Sequence, residues 1–181
     1  MGAVNGRRFL FHTGLGFDAA VVAQVERRNE LKRYAGHPLF VASAFVTWFK
    51  HYDHSRPHFA LKLGDDLIEG CYFAIVSKTS PYTFLGPRPV VVAPEAGLDS
   101  RLSITAFRTL RFAPVVAAVG SALGKGKVLR HHPKLVHRSD VDELTVLGSG
   151  PFPYQVDGDH LGDVERLEFT YEDDALTIVV P

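Results

Sequence analysis

Asp157 and Asp159 flank Gly158 in the stretch Pro153-Tyr154-Gln155-Val156-Asp157-Gly158-Asp159, which follows an alternating apolar run. Asp157-Gly158 is a turn-forming pair, because glycine takes positive φ without steric cost. A tight turn there holds both carboxylates at the tip of a strand pair. A carboxylate fixed at a strand end can act as a general base or a metal ligand. The same residues also read as an ordinary Asp-Gly hairpin turn. A second candidate is Thr13-Gly14-Leu15-Gly16-Phe17-Asp18-Ala19, two glycines in a short loop between a strand-like run and a helical one. Gly-x-Gly ahead of a helix can bring backbone N–H groups close to an anion, or simply turn the chain. Asp18 is also a good N-cap for the helix that comes next.

Two further features carry less chemistry. His51, His54 and His58 lack the helical i, i+4 pair with a glutamate, and no cysteines assist them, so they read as a polar loop. Cys71 is the single cysteine; it cannot form an internal disulfide, which fits a reducing compartment. Its apolar surroundings mark it as a buried small hydrophobe rather than a nucleophile.

These residues need elements to position them. Residues 8–12 read as a strand, and 19–34 as a helix with Val21, Val22 and Val25 on one face and charged residues on the other. Gly36-His37-Pro38 breaks that pattern, and Pro38 suits the first turn of a second helix over 39–52. Phe40, Val41, Phe45, Trp48 and Phe49 on it form either a core face or a wall for a long acyl chain. Strands come next at 59–63 and 67–78, joined by a Gly64-Asp65-Asp66 turn, then a loop over 81–89 and a short strand at 90–93. Residues 102–107 form a strand, 113–123 a short helix, and 136–140 and 143–147 strand pieces. A loop over 148–153 leads to the acidic turn, and strands at 167–171 and 176–180 close a last hairpin. Many short strands with few helices predict a mainly β, α+β domain, a two-sheet β-sandwich.

With 181 residues, 46% hydrophobic and 22% charged, the chain can bury one sizeable core and is not disordered. Twenty basic residues balance twenty acidic ones, which argues against a general nucleic-acid binder. Basic clusters at residues 7–33 and 125–138 could still face phosphates or an anionic membrane surface, or be solvated faces. No apolar run is long enough to span a bilayer, and no charged-then-apolar leader is read at the start. Met1-Gly2 runs straight into a strand-like segment, as expected for a domain cut from a longer chain.

Three stretches carry a family resemblance. Gln155-Val156-Asp157-Gly158-Asp159 resembles the Q-x-D-G-[ED] motif of the diacylglycerol kinase and sphingosine kinase superfamily. Gly14-Leu15-Gly16-Phe17-Asp18-Ala19 resembles the G-x-G-F-D-A stretch that opens the second domain of its bacterial members. Pro94-Glu95-Ala96-Gly97-Leu98-Asp99-Ser100-Arg101-Leu102 is similar to their P-x-A … D-G-x-[LF] loop, with Ser100 where glycine is usual. All three occur in the family order.

The resemblance implies that residues 1–181 are the C-terminal domain of a lipid kinase, a β-sandwich with helices at one side. The N-terminal nucleotide-binding domain, with its G-G-D-G-T motif, is absent from this chain, so the chain alone is expected to be inactive. The implied partners are that domain, a lipid substrate and, peripherally, a membrane surface in the cytoplasm. The implied cofactors are ATP, held mainly by the missing domain, and Mg²⁺. Asp159 is implied as the catalytic base, in place of the usual glutamate. Gly14, Gly16 and Asp157 would serve the cofactor side, while Asp18, Phe40, Phe45, Trp48 and Phe49 would meet the substrate. The Asp99 side chain and the carbonyls of Ala96 and Arg101 would hold the metal. A non-catalytic lipid-binding or scaffold domain is the competing expectation. A sheet edge left bare by the missing domain would also allow a homodimer.

Overall fold

The computed structural model describes residues 1–26, 53, 55–111, 120–123, 134–173 and 175. Alternating and β-branched runs dominate them, and they form strands. Gly2–Val4 (β1) and Arg7–Phe9 (β2) make a hairpin about Asn5-Gly6, both left-handed with φ of 47° and 81°. His12–Gly16 (β3) leads into the helix Phe17–Glu26 (α1). Phe59–Leu63 (β4), Asp66–Cys71 (β5) and Phe73–Ser77 (β6) come after it, then Thr83–Leu85 (β7), Arg88–Val90 (β8) and Leu102–Phe107 (β9). Leu135–Val141 (β10), Glu143–Val156 (β11) and Asp159–Tyr171 (β12) complete the set. The domain is mainly β, as expected.

Every ladder among the described residues is antiparallel, and the main sheet runs β10-β9-β6-β3-β11-β12-β1-β2. β4 joins it through β11 and carries β5, so ten strands form one continuous sheet. The layers of the expected sandwich are therefore hydrogen-bonded to each other rather than separate. β11 makes the junction: residues 145–148 pair with β4, residues 154–156 pair with β3, and β12 accompanies both halves. Between Leu147 and Phe152 the chain advances five residues while β12 advances only from Arg166 to Val164. This bulge redirects the strand. A Cβ on Gly148 would lie 2.6 Å from the Gly150 carbonyl oxygen and 2.9 Å from that of Glu165.

The sheet folds over one apolar core that draws Phe9, Leu15, Leu61, Ile104, Phe152 and Phe169 from six different strands. Phe59 and Phe152 meet there with ring centroids 5.1 Å apart. A second cluster lies on the outer face, where Phe73, Ile75 and Phe107 pack with Phe17 and Ala20 of α1. All five residues of β6 are buried, because the core covers one face and this cluster the other.

Several sequence expectations change. The single strand over 67–78 divides at Tyr72: Gly70, with φ of 77°, bends β5, and the chain then leaves β4 for β3 and β9. The loop at 148–153 is the bulged middle of β11, and 81–89 contains the β7–β8 hairpin. The expected strand over 8–12 is broken by a corner at Leu10 and Phe11, between β2 and β3. Helix α1 begins at Phe17, and residues 27–52, including the expected helix over 39–52, lie outside the described residues. So do most of the helix at 113–123 and the strand at 176–180.

The bulge yields a paired test by denaturant unfolding. Gly148→Ala should lower stability by about 2–4 kcal/mol, since two backbone oxygens stand in the way. Gly150→Ala, with nothing within 4 Å of its Cβ, should stay within about 0.5 kcal/mol of the parent.

Candidate functional site

The Asp157-Gly158 turn is as the sequence anticipates. Val156 pairs with Asp159 across a two-residue loop, and both loop residues are left-handed, with φ of 50° and 93°. The Asp157 carboxylate then does more than make a turn. It accepts the backbone N–H groups of Leu10, Phe11 and His12 at 2.8, 2.9 and 3.0 Å, and the Asp157 N–H donates to the His12 carbonyl at 2.9 Å. Leu10 and Phe11 form the corner between β2 and β3, and this carboxylate takes up their amides together with that of His12 at the start of β3. Asp157 is thereby committed to the fold.

Gly14 of β3 lies directly opposite Gln155 of β11. With no side chain on Gly14, the first turn of α1 drops Asp18 onto that spot. A Cβ at Gly14 would come within 1.6 Å of Asp18 Oδ2. Gln155 Nε2 donates to this oxygen at 3.0 Å, and the Tyr82 hydroxyl donates to Oδ1. Gln155 Oε1 in turn accepts the Gly158 N–H at 2.8 Å, linking the carboxylate to the acidic turn. Asp18 and Gln155 are 8% and 0% exposed, so a charge is being held out of water by two donors. The Gly-x-Gly stretch thus surrounds an anion that the chain itself supplies. Gly16, with φ of 74°, makes the sharp exit from β3 into α1.

Burial and this carboxylate shape the neighbouring groups. The Tyr82 hydroxyl is pushed well above its ordinary pKa of 10.0, first by burial and then by Asp18. The His12 ring lies 4.4 Å from that of Tyr82 and is held below its ordinary 6.5 by burial, although Asp18 and Asp157 pull it upward. Cys71 is fully buried and its thiol is raised to about 12 by loss of solvent, which makes it the inert hydrophobe expected.

Asp159 stands apart from this cluster. Strand alternation puts it on the face of its partner Val156, opposite to that of Gln155. Its side chain is 71% exposed and pairs with Arg7 at 3.1 Å. Phe40, Phe45, Trp48 and Phe49 lie outside the described residues.

The expected metal loop has a different arrangement. The carbonyls that converge are those of Gly97, Leu98 and Ser100, in place of Ala96 and Arg101. The cation at their focus is the Lys78 ammonium, at 2.7, 2.8 and 2.7 Å. The Ser100 hydroxyl closes the loop on the Gly97 N–H and carbonyl, so serine is built into it where the family pattern has glycine. Burial lowers the Lys78 pKa, while Asp99 and Asp173 raise it. A divalent cation about 4 Å from that ammonium would be repelled by roughly 8 kcal/mol at an effective dielectric near 20. These donors do not fit a metal ion while Lys78 holds them.

Beside this loop Glu95 Oε2 lies 3.1 Å from His137 Nε2, and His137 Nδ1 lies 2.9 Å from the Thr105 hydroxyl. Thr105 is fully buried, which makes the chain a cross-brace between the loop and β9–β10 rather than a nucleophile relay. Sequence reasoning passed over Lys78, His12 and Tyr82. Lys78 alone gave a signal, a cation directly after the apolar run Phe73–Ser77.

The fold and site together define a class: a continuous antiparallel sheet over one core, with an outer helix that delivers a buried carboxylate to a strand junction. Two solved structures share this fold, each described as a "putative diacylglycerol kinase from Bacillus anthracis str. Sterne". They superpose with TM-scores of 0.56 and 0.58 at 16% identity, over 93% and 97% of this chain. The chain spans 52% and 56% of their lengths, about half of each. At that identity the likeness is one of fold. No protein-family model and no curated protein matches the chain. No helix among the described residues is long and apolar enough to cross a membrane.

Gly14→Ala should cost about 3 kcal/mol or more in denaturant unfolding, because both Asp18 and Gln155 must move. His12 gives a pH test. Its folded pKa is depressed, so the unfolded chain takes up more protons as pH falls below 6.5. Its contribution is complete above that pH and shrinks as pH drops toward the folded value. The melting temperature should therefore fall more steeply between pH 7.5 and 5.5 in the parent than in His12→Gln, within roughly the span of one histidine titration.

Proposed function

We propose that this chain is the substrate-binding and catalytic-base domain of an ATP-dependent lipid kinase, acting on a lipid hydroxyl of the diacylglycerol or sphingosine type. One observation carries the reading. Two stretches that separately resemble the family, 137 residues apart at Asp18 and Gln155, are joined by a buried hydrogen bond of 3.0 Å. The shared fold with the two solved structures supports the same reading.

The three carboxylates of these stretches have separate duties in it. Asp157 builds the corner and Asp18 ties α1 to β11, each with its oxygens already engaged. Asp159 is open to solvent with one exposed arginine partner, on the strand face opposite Gln155; its part as the base that takes the proton of the incoming hydroxyl rests on the motif resemblance. Gly14, Gly16 and Asp157 act on the cofactor side only by shaping the wall against which the nucleotide domain closes. ATP is held by that second, N-terminal domain. Mg²⁺ bound with its phosphates would neutralise charge that develops during transfer. Phe40, Phe45, Trp48 and Phe49, which lie outside the described residues, would meet the lipid tail. The working place is a membrane surface on the cytoplasmic side.

Phosphate transfer from ATP to a panel of lipid alcohols tests this in a protein that carries the chain together with its nucleotide domain. Asp159→Asn should reduce kcat by about two orders of magnitude with folding intact. Activity that survives moves the base elsewhere. No activity on any lipid favours a non-catalytic lipid-binding domain.

A further inference from the structure

Residues 93–101 form a loop whose peptide oxygens turn inward. Ala96 N–H donates to Ala93 at 3.2 Å and Ser100 N–H to Gly97 at 3.2 Å, which winds the chain tightly. The Ser100 hydroxyl holds the mouth of the loop closed on Gly97. Three carbonyls, Gly97, Leu98 and Ser100, are left facing one point. Carbonyls gathered in this way need a positive charge or N–H donors at their focus.

Lys78 supplies both. An ammonium has three N–H bonds and no acceptor, and here each has a carbonyl at hydrogen-bonding distance. The residue is 4% exposed, so it has given up water for these three contacts. The Tyr171 ring lies on another side, its centroid 5.5 Å from Nζ. The Lys78 backbone N–H donates to the Phe11 carbonyl at 2.8 Å, so the lysine is fixed at its root as well as at its tip. That root sits on the corner organised by Asp157, and four residues later the chain presents Tyr82 to Asp18.

We propose that the Lys78 ammonium is the resident cation of this loop, and that removing it opens the loop to a divalent metal ion. The carbonyl cage, with the Asp99 carboxylate nearby, is a set of hard oxygens suited to Mg²⁺, Mn²⁺ or Ca²⁺. The ammonium is tethered to the cage, never diffuses away from it, and excludes them. The chain thus keeps a cation-centred loop whatever the metal concentration around it. Any metal dependence of its activity would then belong to the nucleotide alone. The cage has this property whether or not the domain serves a kinase.

Amide NMR with sub-stoichiometric Mn²⁺, in the absence of nucleotide, tests it. In the wild-type chain the resonances of residues 96–101 should keep their line widths. Selective broadening there that disappears in Asp99→Asn would overturn the proposal. Lys78→Met should melt about 10 °C lower and regain part of that loss with Mg²⁺ or Ca²⁺, with saturable Mn²⁺ broadening at 96–101. A folded Lys78→Met chain that takes up no divalent ion would also overturn it. Should the variant not fold in either condition, the wild-type spectrum decides by itself. Loss of lipid phosphorylation would bear on none of these readouts, so the two readings fail separately.

Discussion

A carboxylate placed in a dry site must be held by donors or move. Asp18 meets that constraint with the Tyr82 hydroxyl on one oxygen and the Gln155 amide on the other. The three residues come from α1, the segment after β6 and the second half of β11. The interaction therefore fixes the helix to the sheet at the point where β3 and β11 pair. It also explains Gly14, whose missing side chain is the space the carboxylate fills. Gln155 passes the constraint on through its carbonyl oxygen to the Gly158 amide, so the acidic turn and the buried charge are positioned together.

The chain repeatedly satisfies clustered backbone groups with one charged side chain. Asp157 collects three N–H groups at the corner leading into β3, and Lys78 collects three carbonyls in a loop. Each charge lets backbone depart from the sheet without leaving polar groups unmatched. The two are linked, since the Lys78 N–H donates to Phe11 in the corner that Asp157 holds. A mainly β domain with so many short strands has many such departures, and these two lie at the ends of β3 and β6, which pair with each other in the middle of the sheet.

Much of this was readable in the sequence. Short apolar runs located β4, β9, the start of β11 and the end of β12, and Asp157-Gly158 announced its own turn. Residues 148–153 misled because glycine and proline signal a loop, whereas a bulge lets the ladder resume beyond them. Residues 67–78 misled because one apolar run serves two partners in succession, and periodicity does not register a change of neighbour.

The candidate site divides in the same way. Residue type and local spacing determined that carboxylates sit beside glycines, that Cys71 is inert and that the chain is mainly β, since each comes from a few neighbouring residues. Only the tertiary structure decided which carboxylate is buried, which is tied to backbone and which is open to solvent. It also decided that a lysine 19 to 22 residues upstream of the three carbonyls stands at the focus of the 93–101 loop. Those outcomes depend on distant strands meeting in register, and burial and charge pairing are properties of that meeting rather than of any one segment.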